Sequence, residues 1–248
     1  MPQQPIKSYR VWDVPTRLFH WINFICVVAL AAIGTTILYD KELGVTDAGK
    51  ILLKTTHVWF GYAFAVSLIL RLLWAFFGNK HARWAAILPF GKGYCSSLAG
   101  YFGALRRGEP PAYVGHNPAA RAMVFVLLVL LAVQAGTGLL LAGTDIYYPP
   151  FGQWITGWIA SAGTDPATLA PYNMTGVDKA SWEAMRAFRS PIVSAHYWVF
   201  YALLAAILVH VAGVVVAELR EGGGLVSAML TGRKVFDRAP VDDGEEGQ

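Results

Sequence analysis

Residues 191–217 read PIVSAHYWVFYALLAAILVHVAGVVVA, a stretch with no Asp, Glu, Lys or Arg but with two histidines, His196 and His210. A hydrocarbon core about 30 Å thick is crossed by about 20 helical residues, so this stretch is long enough to span a bilayer as one helix. His210 stands in Leu208-Val209-His210-Val211, with no interface near it. An ionisable side chain at that depth is by default a functional group, because lipid tails offer it no partner.

Three further stretches have the same character: residues 16–38, 55–77 and 119–142. The third carries no charge from Ala122 onward, whereas Arg71 interrupts the second near its end, where it can snorkel to headgroups. With 55% hydrophobic and 15% charged residues, the 248-residue chain lies well to the apolar side of soluble domains. The expected fold is all-α, a transmembrane four-helix bundle formed by residues 1–220 and followed by a tail at 221–248. The tail is Gly-rich, then basic, then acidic from Asp242 to Glu246, a composition expected to be disordered at its end.

Charge distribution gives the orientation. Fourteen of the 20 Lys and Arg residues fall in the N-terminal arm, the second connection and the tail, and six fall in the first and third loops. The positive-inside rule then places both termini in the cytoplasm, and the tail with them. The pI near 9.1 reflects this topology and contact with anionic lipid, not nucleic-acid binding. Ala29-Leu30-Ala31 imitates a signal-peptide cleavage site, but the apolar run continues to Leu38, which favours an uncleaved span.

The connections carry their own signals. Asn117-Pro118 opens the third span with a capping residue and a proline suited to the first helical position. Residues 95–105 can form a short surface helix on the cytoplasmic side. The outer connection, 143–190, is long and rich in Trp and Tyr, and reads as a partly helical lid or as interfacial anchoring. Gly136 and Gly138 suit either close helix packing or the flat face of a cofactor.

Direction and depth sort the histidines. His20 enters with the first span from the cytoplasm, and His57 enters with the second from outside. On the fourth span His196 is near the outer surface and His210 lies about 21 Å deeper, within about 40° of the same helix face. Depth matching pairs His57 with His196 and His20 with His210, and inversion of the topology leaves the pairs intact. Opposed imidazoles from two helices are the axial ligand set of a b-type haem, so two stacked haems are expected. Taken singly, each histidine has a plainer reading: His57 as a hydrogen-bonding helix contact, and His20, between Phe19 and Trp21, as part of an aromatic belt. Arg17 and Arg71 can pair with the propionates of the inner haem or with lipid phosphate. His81 and His116 are assigned to no metal.

Other chemistries lack their residues. Cys26 and Cys95 are the two cysteines, one mid-span and one in a loop, and no C-x-x-C-H, Walker, G-x-G-x-x-G or zinc spacing occurs. Two axial histidines leave no open metal position, so the expected chemistry is one-electron transfer. A transporter using the histidines as a proton relay is the rival reading, although no repeat or clearly broken helix accompanies it.

The segment Val11-Trp12-Asp13-Val14-Pro15-Thr16-Arg17-Leu18-Phe19-His20-Trp21 resembles the opening of bacterial cytochrome b-561 proteins and of the b-type cytochrome subunit of nickel-iron hydrogenases. Further similar pieces are Arg71-Leu72-Leu73-Trp74 with Gly78-Asn79, Gly115-His116-Asn117-Pro118, Thr137-Gly138-Leu139, and Leu225 through Gly232-Arg233. The resemblance covers nearly the whole chain. It implies four helices holding two b haems, with His20, His57, His196 and His210 as iron ligands. It further implies a bacterial inner-membrane subunit of the respiratory chain, exchanging electrons with quinone and with a periplasmic partner, either a c-type cytochrome or a hydrogenase-like catalytic subunit. Electron direction and oligomeric state are left open. The chain has no metal-sulfur ligand set, so chemistry on hydrogen would belong to another subunit.

Overall fold

A computed structural model describes residues 6–243. The elements run β1 (Lys7–Arg10), α1 (Val14–Leu38), α2 (Asp47–Phe77), α3 (Trp84–Ile87), α4 (Tyr94–Arg107), α5 (Pro118–Ile146), α6 (Gly152–Ile159), a 3-10 turn (Pro166–Thr168), α7 (Lys179–Glu221), α8 (Leu225–Thr231) and β2 (Arg233–Phe236). Helices α1, α2, α5 and α7 are long and apolar enough to cross a membrane, and they contain the four stretches the sequence singles out. Large side chains such as Trp198 and Leu208 are uncovered by protein on these helices, as lipid-facing residues are.

Two helices begin well before their apolar stretch. α2 starts at Asp47, and α7 starts at Lys179 and runs 43 residues through Pro191. A proline inside a helix forfeits one backbone hydrogen bond, yet the turns before it are held independently. Met185 is buried with Ile155, Ile159 and Leu169, and Arg189 pairs with Asp145 at 2.5 Å. Apolarity ends at the membrane boundary, whereas the helical backbone continues wherever an amphipathic face finds cover.

The chain divides into two compact units. One comprises Met1–Trp21, Ile69–Val129 and Leu203–Gln248, and the other comprises Ile22–Leu68 and Leu130–Ala202. The first unit ties the start of α1 to the end of α2 through one carboxylate. Asp13 caps α1 by accepting from Thr16 N at 2.9 Å, and its other oxygen accepts from Trp74 Nε1 at 3.0 Å and Asn79 N at 3.1 Å. Asn79 in turn donates to Val11 O at 2.7 Å. Gly78 sits under the Trp74 ring, where a Cβ would come within 2.7 Å of Nε1.

The tail closes this unit. β2 pairs antiparallel with β1, and Gly232, at φ +79°, receives both Val11 N and Trp12 N on its carbonyl. Val11, Trp12, Ala112, Val114, Ala228 and Phe236 form its apolar core. Asp242, expected at the start of a disordered end, instead accepts from Val114 N at 2.7 Å and Gly115 N at 2.8 Å. Two loop amides need an acceptor there, and composition alone does not register such a contact. The remainder of that acidic end, residues 244–248, lies outside the described residues.

In the second unit the connection 143–190 is largely ordered secondary structure. α6 and the first turns of α7 bury Ile155, Ile159 and Met185 against Leu169, with Trp158 and Trp182 packed at the edge. Asp145, at the end of α5, accepts from both Lys54 at 2.6 Å and Arg189 at 2.5 Å. The sequence marks neither the carboxylate nor its two cations as partners. Cys26 and Cys95 are both free thiols, as expected from their placement.

Candidate haem-binding sites

The second unit brings His57 of α2 and His196 of α7 opposite each other, edge to face. Their ring centroids are 6.5 Å apart with an interplanar angle of 72°. Two imidazoles on opposite sides of one metal, each bonded at about 2 Å, place their ring centres about 6 Å apart, so the spacing fits a shared iron. Among the described residues, His57 Nδ1 is buried without a hydrogen-bond partner. Glycine backs each ring. A Cβ on Gly34 of α1 would lie 3.2 Å from His57 Cε1, and one on Gly138 of α5 would lie 3.4 Å from His196 Cε1. Gly136, by contrast, has nothing within 4 Å of its Cβ direction among the described residues. The residues present therefore fit an axially ligated haem.

His196 has further company on α5. Its Nδ1 lies 2.9 Å from Thr137 Oγ1, and its Nε2 lies 3.1 Å from Gln134 Nε2. Gln134 and Gly34 carry no signal in the sequence, because a glutamine or a glycine in an apolar helix marks a site only once the helices are placed.

The first unit brings His20 of α1 and His210 of α7 within electrostatic reach of each other. His20 is an exposed side chain whose ring meets Trp21 edge-on at 5.4 Å, and Trp21 is fixed by donating to Met229 O at 3.0 Å. Arg17 donates through Nη1 to Leu230 O, while its Nε is buried without a partner among the described residues. Arg71 lies in the field of Asp13.

Beside these residues the same unit encloses a polar cluster that the sequence reading passes over. Trp12 packs against His116 at 4.8 Å and against His81 at 6.5 Å. Lys234 is buried, donating to Tyr113 O at 3.0 Å and Gly115 O at 3.1 Å. Burial pulls its ammonium down to about 8, partly offset by Glu221 and Asp242. Asn117 caps α5 through Ala120 N at 2.8 Å and donates to Glu221 at 2.8 Å and to Tyr101 at 3.0 Å. Burial and the Glu221 carboxylate raise the Tyr101 hydroxyl, which donates to that carboxylate.

His116 keeps some surface, but its Nδ1 is enclosed and has no hydrogen-bond partner among the described residues. Burial, reinforced by Lys234, Arg71, His81 and Arg121, lowers it from 6.5 to about 3. The folded chain therefore holds it neutral while the unfolded chain takes up a proton as pH falls below 6.5. Stability should decline through that window, by about 1.4 kcal/mol per pH unit from this group, and not above it. Denaturation of wild type and His116→Gln at pH 7 and pH 5 checks this, with a shallower acid slope expected in the variant.

Four membrane-length helices with histidines opposed between them define a multi-pass membrane protein of the cytochrome type. The family model described as prokaryotic cytochrome b561 matches residues 11–232, and the chain belongs to that family of b-type haem proteins. Among similar proteins, the "Probable Ni/Fe-hydrogenase B-type cytochrome subunit" of Rhizobium leguminosarum bv. viciae is 27% identical over 240 residues, covering 93% of this chain and 90% of the relative. Its namesake from Cupriavidus necator is 26% identical over 241 residues, covering 93% and 88%. The "Probable Ni/Fe-hydrogenase 1 B-type cytochrome subunit" of Escherichia coli K12 is 29% identical over 157 residues, covering 59% and 65%.

Proposed function

We propose that the protein is a di-haem subunit, a four-helix bundle in the bacterial inner membrane. It passes electrons between the quinone pool and a redox partner on the periplasmic side. The single observation that carries this reading is the opposition of His57 and His196 at 6.5 Å, on two different membrane-length helices. A bound b-type haem would supply reversible one-electron chemistry. His57 and His196 hold one such group, and His20 and His210 hold the other.

The remaining residues orient and insulate. Gly34 leaves room for the His57 ring, and Gly138 adjoins the His196 ring. Held by a histidine from each of two helices, such a group would have no position left for oxygen or substrate, and it would supply electron exchange alone. Arg17, whose Nε has no partner among the described residues, and Arg71 would receive propionate carboxylates in the first unit. The relatives are named as subunits of Ni/Fe-hydrogenases, which favours a hydrogenase-like catalytic subunit over a c-type cytochrome as the periplasmic partner. The basic connection and termini favour a cytoplasmic position for the first unit.

The test is anaerobic addition of a short-chain quinol to the purified, oxidised, haem-loaded protein. Reduction of the haem absorbance within seconds to minutes is expected. A protein that dithionite reduces but quinol leaves oxidised, over a range of quinol potentials, contradicts the assignment to the quinone pool.

A further inference from the structure

Thr137 belongs to a motif the sequence resemblance marks but the function above does not use. Its Oγ1 lies 2.8 Å from Val133 O, 3.1 Å from Gln134 O and 2.9 Å from His196 Nδ1. A hydroxyl has one hydrogen, and carbonyl oxygens only accept. Threonine in a helix habitually gives that hydrogen to a carbonyl three or four residues back. The oxygen is then left to accept, and the available donor is the His196 Nδ1–H.

A neutral imidazole has one ring hydrogen, so a proton on Nδ1 leaves Nε2 as the bare, ligating nitrogen. On the other ring nitrogen the Gln134 amide lies 3.1 Å from Nε2, where its N–H can donate to the lone pair this tautomer leaves. That contact is weakly anchored, because Gln134 Oε1 is buried with no partner of its own among the described residues. His57 differs: its Nδ1 has no hydrogen-bond partner among the described residues. Among the described residues a hydroxyl meets Nδ1 of His196 and nothing meets Nδ1 of His57.

We propose that Thr137 is the positioning residue for His196: its hydroxyl fixes the tautomer that aims Nε2 at the haem and sets that haem's reduction potential. This rests on the reading of His196 as a haem ligand. An acceptor on the distal N–H of a metal-bound imidazole makes the ligand more basic and holds its ring plane. A more basic ligand favours the oxidised metal, so Thr137 lowers the potential. A hydroxyl already engaged on a carbonyl is the better acceptor, which strengthens the effect.

The experiment compares Thr137→Val, Thr137→Ser and wild type as full-length, haem-loaded proteins in potentiometric titrations followed by haem absorbance. Valine keeps the shape without the hydroxyl, and serine keeps the hydroxyl. Thr137→Val should raise the midpoint of one of two haem transitions and leave the other in place, while Thr137→Ser should titrate like wild type. Loss of one haem in Thr137→Val but not in Thr137→Ser also supports the proposal. Unchanged midpoints in Thr137→Val overturn it, as does an equal shift, or an equal haem loss, in both variants. Full haem content in His196→Ala would refute the ligand assignment itself, a result separable from any behaviour of Thr137.

Discussion

His210→Ala should lose one haem per chain and keep the other. His210 and His20 belong to one compact unit, and His57 and His196 belong to the second. Alanine at 210 takes a nitrogen from the first pair and leaves the residues around His57 and His196 untouched. His57→Ala is the mirror experiment and should spare the haem held by His20 and His210. Combining His57→Ala with His210→Ala should give a protein without haem absorbance. Pyridine haemochrome content per chain decides the matter. A single variant with the wild-type content would break the pairing, and a single variant losing both haems would show that the two sites are not independent.

Asp13→Ala should destabilise the first unit by about 3 kcal/mol or more. Loss of an N-cap costs about 1 kcal/mol. In addition the half-buried Trp74 and Asn79 donors lose their acceptor, at about 1 kcal/mol each, the low end of the cost of an unpaired donor. Asp13→Asn keeps a capping oxygen and should cost less. The charge has a pH signature as well. Burial opposes ionisation of Asp13, but hydrogen bonds from Thr16, Asn79 and Trp74 outweigh it and hold the carboxyl below its usual value. Its contribution is therefore present above the ordinary carboxyl pKa and is lost as pH falls through the lowered one. Thermal denaturation of the three proteins at neutral pH measures the order wild type, Asp13→Asn, Asp13→Ala. Equal midpoints would show that the hub carries no load.

The four spans and the approach of His57 to His196 are legible in the sequence because apolar length and helical depth are one-dimensional quantities. His57 and His196 meet because each lies a few residues inside the start of its apolar stretch. Asn117-Pro118 is equally plain, since capping is local, and Asn117 does cap α5. The ends of α2 and α7 are not legible, because they depend on partners such as Asp145 and Met185 rather than on apolarity. The folded tail escapes for the same reason: β2 is a strand only because β1, more than 200 residues earlier, is there to pair with it. Gly34, Gln134 and the polar cluster around His116 and Lys234 carry no periodicity or spacing that marks them. Conversely, the resemblance pieces near Asp13, Asn79, Gly115 and Gly232 prove to be the hydrogen-bonded seams of one unit.

The most direct measurement is the haem content of the purified wild-type chain together with its reduced-minus-oxidised spectrum. Two low-spin b-type haems per polypeptide, non-covalently held and extractable into acid acetone, are expected. A folded, colourless preparation, or one that saturates at a single haem when haem is supplied in excess, would contradict the account.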